Sequence, residues 1–127
     1  MGLQEKRLIE EYKRNIVPSL ERELHKNAKT KITYEIDWTT FENDLKALHY
    51  LENQGLVYLN SVIKEICRDE VGTQAVKESI KKIAIKNAGG SVPKELTLED
   101  GVLEVSCAWA NDYYTESELV ELIEQKL

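Results

Sequence analysis

No run of apolar residues in this chain approaches the roughly 18 that a membrane-crossing helix needs. The opening stretch MGLQEKRLIEEYKR lacks the apolar core of a signal peptide. Membrane residence and export by that route are therefore not expected, and a cytoplasmic location is. Cysteine is scarce. Cys67 and Cys107 are the only two, each lies among apolar neighbours, and both read as buried free thiols rather than a disulfide. Prolines number two, apolar residues make up 42% and charged residues 31%, the balance of a folded soluble domain rather than a disordered chain. At 127 residues the whole chain, 1–127, is expected to form a single domain that buries about two thirds of its unfolded surface.

Catalytic and metal-binding patterns are also missing. The two histidines, His25 and His49, have no cysteine or carboxylate at metal-ligand spacing and no nucleophile motif nearby, so both read as exposed helical residues. Gly89-Gly90 is followed by Ser91-Val92-Pro93, not by a helix start carrying Lys-Ser or Lys-Thr, so no phosphate-binding loop is expected. Glu35, Asp37 and Glu104 are strand carboxylates, but no lysine lies among them in the hairpin, and they read as solvating charges. No catalytic residue, metal or cofactor is expected from the sequence.

Positive charge is almost absent from one part of the chain. Residues 1–31 hold eight Lys/Arg and five Asp/Glu, residues 32–94 eight and nine, and residues 95–127 one and nine. The three segments therefore carry +3, −1 and −8, and the last quarter accounts for the net charge of −6 and more. A field of that sign repels nucleic acid and attracts basic partners. The basic residues of the first segment (Lys6, Arg7, Lys13, Arg14, Arg22, Lys26 and Lys29) are interleaved with glutamates, which suits a salt-bridged helix surface better than a nucleic-acid stripe.

Periodicity supplies the elements. Leu8, Ile9, Tyr12, Ile16, Leu20 and Leu24 form one apolar stripe over residues 3–28, with a kink or a break near Val17 expected from Pro18. KITYEIDW alternates, with Ile32, Tyr34, Ile36 and Trp38 on the inner side of a strand. Thr39 and Glu42 then have capping-box spacing for a helix that Gln54-Gly55 should end. Residues 56–68 form the next helix, and Thr73 is placed to cap a short further one. KIAIKNA reads as a strand and NAGGSVP as a loop. Residues 95–110 read as a hairpin about Asp100-Gly101, a pair suited to a type I′ turn. That turn sets Leu98 opposite Leu103, Leu96 opposite Val105 and Thr97 opposite Glu104, which puts the leucines and the valine on one face. Thr115 and Glu118 form a second capping box. The resulting class is α+β: a small, mostly antiparallel sheet of about four strands, helices on one face, in the order α-β-α-α-(α)-β-β-β-α.

The candidate site is the corner in EVSCAWANDYYTESELVELI. Asn111-Asp112 favours a turn, and the adjacent Tyr113 and Tyr114 cannot both point inward easily, so at least one is expected to be exposed. Asp112, Glu116, Glu118 and Glu121 surround them. Rigid aromatic area beside steering acids makes a contact surface for a basic protein partner; the plainer interpretation is a solvated acidic helix. In size, acidity and order of elements the chain is similar to bacterial immunity proteins, which bind and neutralise a cognate toxin. The likeness is one of type and carries over no residues. The leading expectation is a cytoplasmic protein-binding module of the immunity-inhibitor kind, not an enzyme. One alternative is a small enzyme or ligand-binding protein with a pocket between sheet and helices, Asp37 or Tyr34 near its mouth. Another is a structural protein that self-associates through the hairpin edge.

Overall fold

The computed structural model describes residues 2–89 and 92–127. Gly90 and Ser91, in the middle of the loop expected at 87–93, lie outside the described residues. The chain begins with α1 (Leu3–Glu11), a π-helical turn (Tyr12–Ile16) and α2 (Val17–Ala28). The helix does not break at Pro18. Glu11, Tyr12, Ile16 and Val17 all keep right-handed helical dihedrals, and the Val17 amide reaches back five residues to the Tyr12 carbonyl. A proline ring collides with the carbonyl four residues earlier, and the wider π turn gives it room.

Strand β1 (Thr33–Ile36) follows, then a 3₁₀ turn (Trp38–Phe41) and α3 (Leu45–Tyr50). The capping box expected from Thr39 and Glu42 does not form. Asp44 caps α3 instead, accepting from the Ala47 amide at 3.0 Å, while the Thr39 hydroxyl donates to the Asp37 carboxylate. Nor does Gln54-Gly55 end the helix: a second π-helical stretch (Leu51–Leu56) carries it straight into α4 (Val57–Ile66). Helix α5 (Glu70–Ser79) is capped by Asp69, whose side chain accepts from the Gly72 amide at 2.8 Å. Thr73, expected to cap, lies one turn inside. In both corrected helices an aspartate three residues ahead of a free amide outcompetes the nearby threonine.

Strands β2 (Lys82–Asn87), β3 (Glu95–Glu99) and β4 (Val102–Cys107) complete the sheet, and α6 (Glu116–Lys126) closes the chain. The four strands lie in the order β1-β2-β4-β3. The sheet is not mostly antiparallel: β1–β2 and β2–β4 are parallel, and only β3–β4 is antiparallel. Two features of the chain produce this. The β1–β2 connection contains α3, α4 and α5, the long helical crossover that parallel neighbours require. The hairpin then places its second strand, not its first, beside β2. The hairpin register itself is as the turn dictates, with Leu98 opposite Leu103, Leu96 opposite Val105 and Thr97 opposite Glu104. Asp100 (φ 51°) and Gly101 (φ 80°) both take the positive φ of a type I′ turn.

Helices cover one face of the sheet. Ile83, Ile85, Leu103 and Val105 are buried toward them, together with Leu24, Phe41, Leu48, Leu59, Ile63 and Ile123. The opposite face is open and polar, with Glu35, Lys86 and Glu104 exposed and Ala84 between them. Trp109 is buried. Trp38 is only half-buried, wedged between Tyr12 and Phe41 with Lys13 over its ring.

Candidate functional site: the corner between β4 and α6

Strand β4 ends at Cys107, and the chain turns at once. The amides of Asn111 and Asp112 both donate to the Ala108 carbonyl, at 2.9 and 2.7 Å. The turn is tied to the end of β2 through Trp109. Its backbone amide donates to the Asn87 side-chain carbonyl at 3.2 Å, and its indole N–H donates to the Lys86 carbonyl at 3.0 Å. Asn87 is anchored in turn, donating through Nδ2 to the Thr40 carbonyl and to Asp44. The corner therefore stands on a framework that links β2, the 3₁₀ turn and the cap of α3.

The two tyrosines separate. Tyr113 is half-buried, its ring stacked at a tilt on Tyr50 with centroids 5.6 Å apart. Tyr114 is buried, so neither ring is fully exposed. Lys94, just ahead of β3, is the residue that organises the acids. Its Nζ lies 3.5 Å from Asp112, 3.5 Å from Glu118 and 4.9 Å above the Tyr114 ring. Glu118 also completes the capping box expected at the start of α6: its own amide donates to the Thr115 hydroxyl, and its carboxylate accepts from the Thr115 amide. Glu116 accepts a hydrogen bond from the Ser61 hydroxyl on α4. Glu121 is exposed further along α6. Of the six residues expected to bind a partner, Asp112, Tyr114 and Glu118 converge on Lys94. Tyr113, Glu116 and Glu121 point to other surroundings.

The electrostatics follow from these contacts. Hydrogen bonds from the Thr115 backbone and hydroxyl, reinforced by Lys94, hold the Glu118 carboxyl below its usual value. Burial pushes Lys94 down, but Glu118 and Asp112 together outweigh it and leave the ammonium above its usual value. Burial raises Tyr114, and it pushes the Cys107 thiol up to about 12, helped by Asp112. Glu118 and Lys94 are thus each held in their charged form, with the Asp112 side chain 3.5 Å from the ammonium.

Lys94 escaped the motif reading because it sits next to the loop, outside any element. The hairpin register held the signal: Glu95 pairs with Ser106, which sets residue 94 beside Cys107 and hence near the corner. Tyr50 and Ser61 come from helices distant in sequence, and no local pattern announces them.

The other expected positions resolve plainly. His25 and His49 are exposed. Both cysteines are free; Cys107 is buried, but Cys67 only half-buried. The Tyr34 hydroxyl is not at a pocket mouth. It donates to the buried Asn60 side chain, which itself donates to the Leu20 carbonyl and to Glu23. The strand carboxylates do have lysines among them, supplied by β2 rather than the hairpin: Lys82 pairs with Glu35 at 2.7 Å, and Lys86 lines the same shallow groove as Glu35, Asp37 and Glu104. Among the described residues, no three or more His, Cys, Asp and Glu side chains gather as metal ligands. No helix among the described residues is long and apolar enough to cross a membrane. Compared with descriptions of known protein families, with curated proteins and with solved structures, the chain has no match.

Proposed function

We propose that the protein is a cytoplasmic protein-binding module that presents its β4–α6 corner and the exposed side of α6 to a basic partner surface. Its action would be that of an immunity-type inhibitor: one-to-one masking, with carboxylates occupying ground that a polyanionic substrate would otherwise take. The observation that carries this reading is the state of the corner. Asp112 and Glu118 are locked in place by Lys94 and by the helix cap, and Glu118 is held ionised. A group fixed as an anion suits steering and docking, whereas a proton-transferring acid needs a pKa near the working pH. Around it Glu116, Glu121 and Glu124 are exposed on one helix. Such charges act mainly on the rate of encounter, and the half-buried Tyr113 and Tyr50 pair supplies rigid apolar area beside them.

A second reading has one observation in its favour. A polar groove of about 360 Å³ opens where β1, β2 and β4 end, lined by Thr39, Thr40, Asn43, Asp44, Asn87 and Asn111. The carboxyl ends of parallel strands are where open sheets commonly take ligands. Its inner wall, however, is already hydrogen-bonded to itself through Asn87, Thr40 and Asp44.

The deciding experiment starts from capture of the partner in the native host and measures association kinetics against salt. Glu116→Gln with Glu121→Gln should slow association several-fold at low salt and flatten its salt dependence, with the melting temperature nearly unchanged. Unchanged kinetics in this variant would remove the corner as the contact surface.

A further inference from the structure

The two ends of the sheet are treated differently. β1 is one edge, only four residues long, and one of its two outward amides is taken: Tyr34 N–H donates to the Glu21 carboxylate of α2 at 2.9 Å. Occupying an outward amide in this way blunts an edge against further pairing. β3 is the other edge, five residues long. In a two-residue hairpin the residues flanking the turn exchange both hydrogen bonds, and the pattern alternates from there. Glu99, Thr97 and Glu95 therefore turn their main-chain groups toward β4, and Leu98 and Leu96 turn theirs outward. Among the described residues, no hydrogen bond reaches the outward groups of Leu96 and Leu98 from another element.

We infer that the β3 edge receives an extended segment of a partner protein with lysine or arginine at alternate positions, added to the sheet as a fifth strand. The side chains select the occupant. Glu95 and Glu99 are both exposed and lie on the polar face of β3, with Thr97 between them, and Glu104 lies next to Thr97 on β4. A neighbouring strand directs every second side chain onto that row, so a basic alternation meets two glutamates at cross-strand distance. Its intervening residues fall on the inner side beside Leu96 and the half-buried Leu98. A second copy of this chain is the wrong occupant. The antiparallel register that overlaps the two β3 edges over their full length is centred on Thr97, and it sets Glu95 against Glu99 of the other copy twice. Like charges directly opposite are destabilising.

The inference takes the basic partner from the reading above, but its geometry is separate and so is its test. The probe is a blocked seven-residue peptide alternating lysine and valine, titrated into the whole protein and followed by amide NMR. Binding should shift the Leu96 and Leu98 amides and slow their hydrogen exchange at least about fivefold. Glu95→Gln with Glu99→Gln should weaken the peptide about fivefold, and N-methylation of alternate peptide amides should abolish binding. Absence of binding at millimolar peptide overturns the inference. So does binding that survives N-methylation, or perturbation confined to α6 and the corner. In the last case the acidic corner still stands as a binding surface and only the edge falls. Conversely, a peptide seated on β3 beside unchanged partner kinetics for the α6 variant would retain the edge and discard the corner.

Discussion

Gly55 faces the six-membered ring of Trp109, and a methyl group added at Gly55 would lie 2.8 Å from the ring's Cζ3 atom. The glycine that looked like a helix stop is instead where the α3–α4 helix makes room for the corner's tryptophan. Trp109 cannot easily move aside, because it is buried and its indole N–H is bonded to the Lys86 carbonyl. Gly55→Ala removes about 1 kcal/mol of helix penalty but forces overpacking that costs about 1–3 kcal/mol. A net loss of stability is expected in urea denaturation, with a blue- or red-shift of tryptophan emission as the ring is displaced. A variant more stable than the parent would contradict this account of the contact.

The cap of α6 should show in the pH dependence of stability. The folded protein depresses the Glu118 carboxyl below its ordinary value of 4.5, first through the Thr115 backbone hydrogen bond. A depressed carboxyl contributes stability above its unfolded pKa and loses it as pH falls through the folded one. Glu118→Gln should therefore melt lower than the parent at neutral pH, and the gap should close as pH drops below about 4.5. Thermal melts of the two proteins across that range provide the check; a gap that stays constant in acid would assign the effect to something other than charge.

Lys94 neutralises the corner as well as bracing it. Lys94→Met keeps much of the aliphatic stem over Tyr114 and removes the charge. The corner then becomes more negative and less braced. Association with a basic partner should speed up about two- to threefold at low salt, while the melting temperature falls. Stopped-flow mixing and a melting curve on the same preparation measure both; slower association would mean that Lys94 itself touches the partner.

The two thiols should react in a fixed order. Alkylation requires an accessible thiolate, and burial drives the Cys107 thiol up to about 12. Cys67 is half-buried, and its thiol is also raised, by burial first. Iodoacetamide at mildly alkaline pH should label Cys67 first and Cys107 only as the domain opens, with added urea accelerating the second event. Mass spectrometry of timed samples separates the two, and fast labelling of native Cys107 would rule out its buried placement.

Local patterns carried much of this fold into the sequence. The hairpin was legible because Asp100-Gly101 fixes a register and Leu96, Leu98, Leu103 and Val105 agree with it. The Thr115–Glu118 box was legible because its two halves lie three residues apart in the chain. Strand direction was not, since alternation in KITYEIDW and KIAIKNA reports a half-covered sheet whichever way its strands run; only the length of the intervening helical crossover pointed to parallel pairing. Capping at Asp44 and Asp69 was missed because threonines at similar spacing compete on paper and the choice is made by backbone geometry. At the site, the acids and tyrosines were visible, and their organiser was not. Lys94 meets Asp112 and Glu118 across gaps of 18 and 24 positions that only the folded sheet closes.

The parallel pairing of β1 with β2 has a consequence for the order of assembly. It joins Thr33 to Lys82, positions 49 apart, whereas the hairpin closes between Glu99 and Val102. A hairpin forms on the order of 1–10 μs, and a closure across a long chain segment is slower. During synthesis at roughly 5–20 residues per second, β1 waits on the order of 2–10 s for β2 to be made. Its apolar side, Ile32 and Tyr34, leans in that interval on α2 and then on α3, α4 and α5 as they emerge, with Asn60 of α4 accepting from the Tyr34 hydroxyl. α2 is upstream, and its Glu21 can already hold the Tyr34 amide. The contact that blunts the finished edge can thus also chaperone the strand before its neighbour exists.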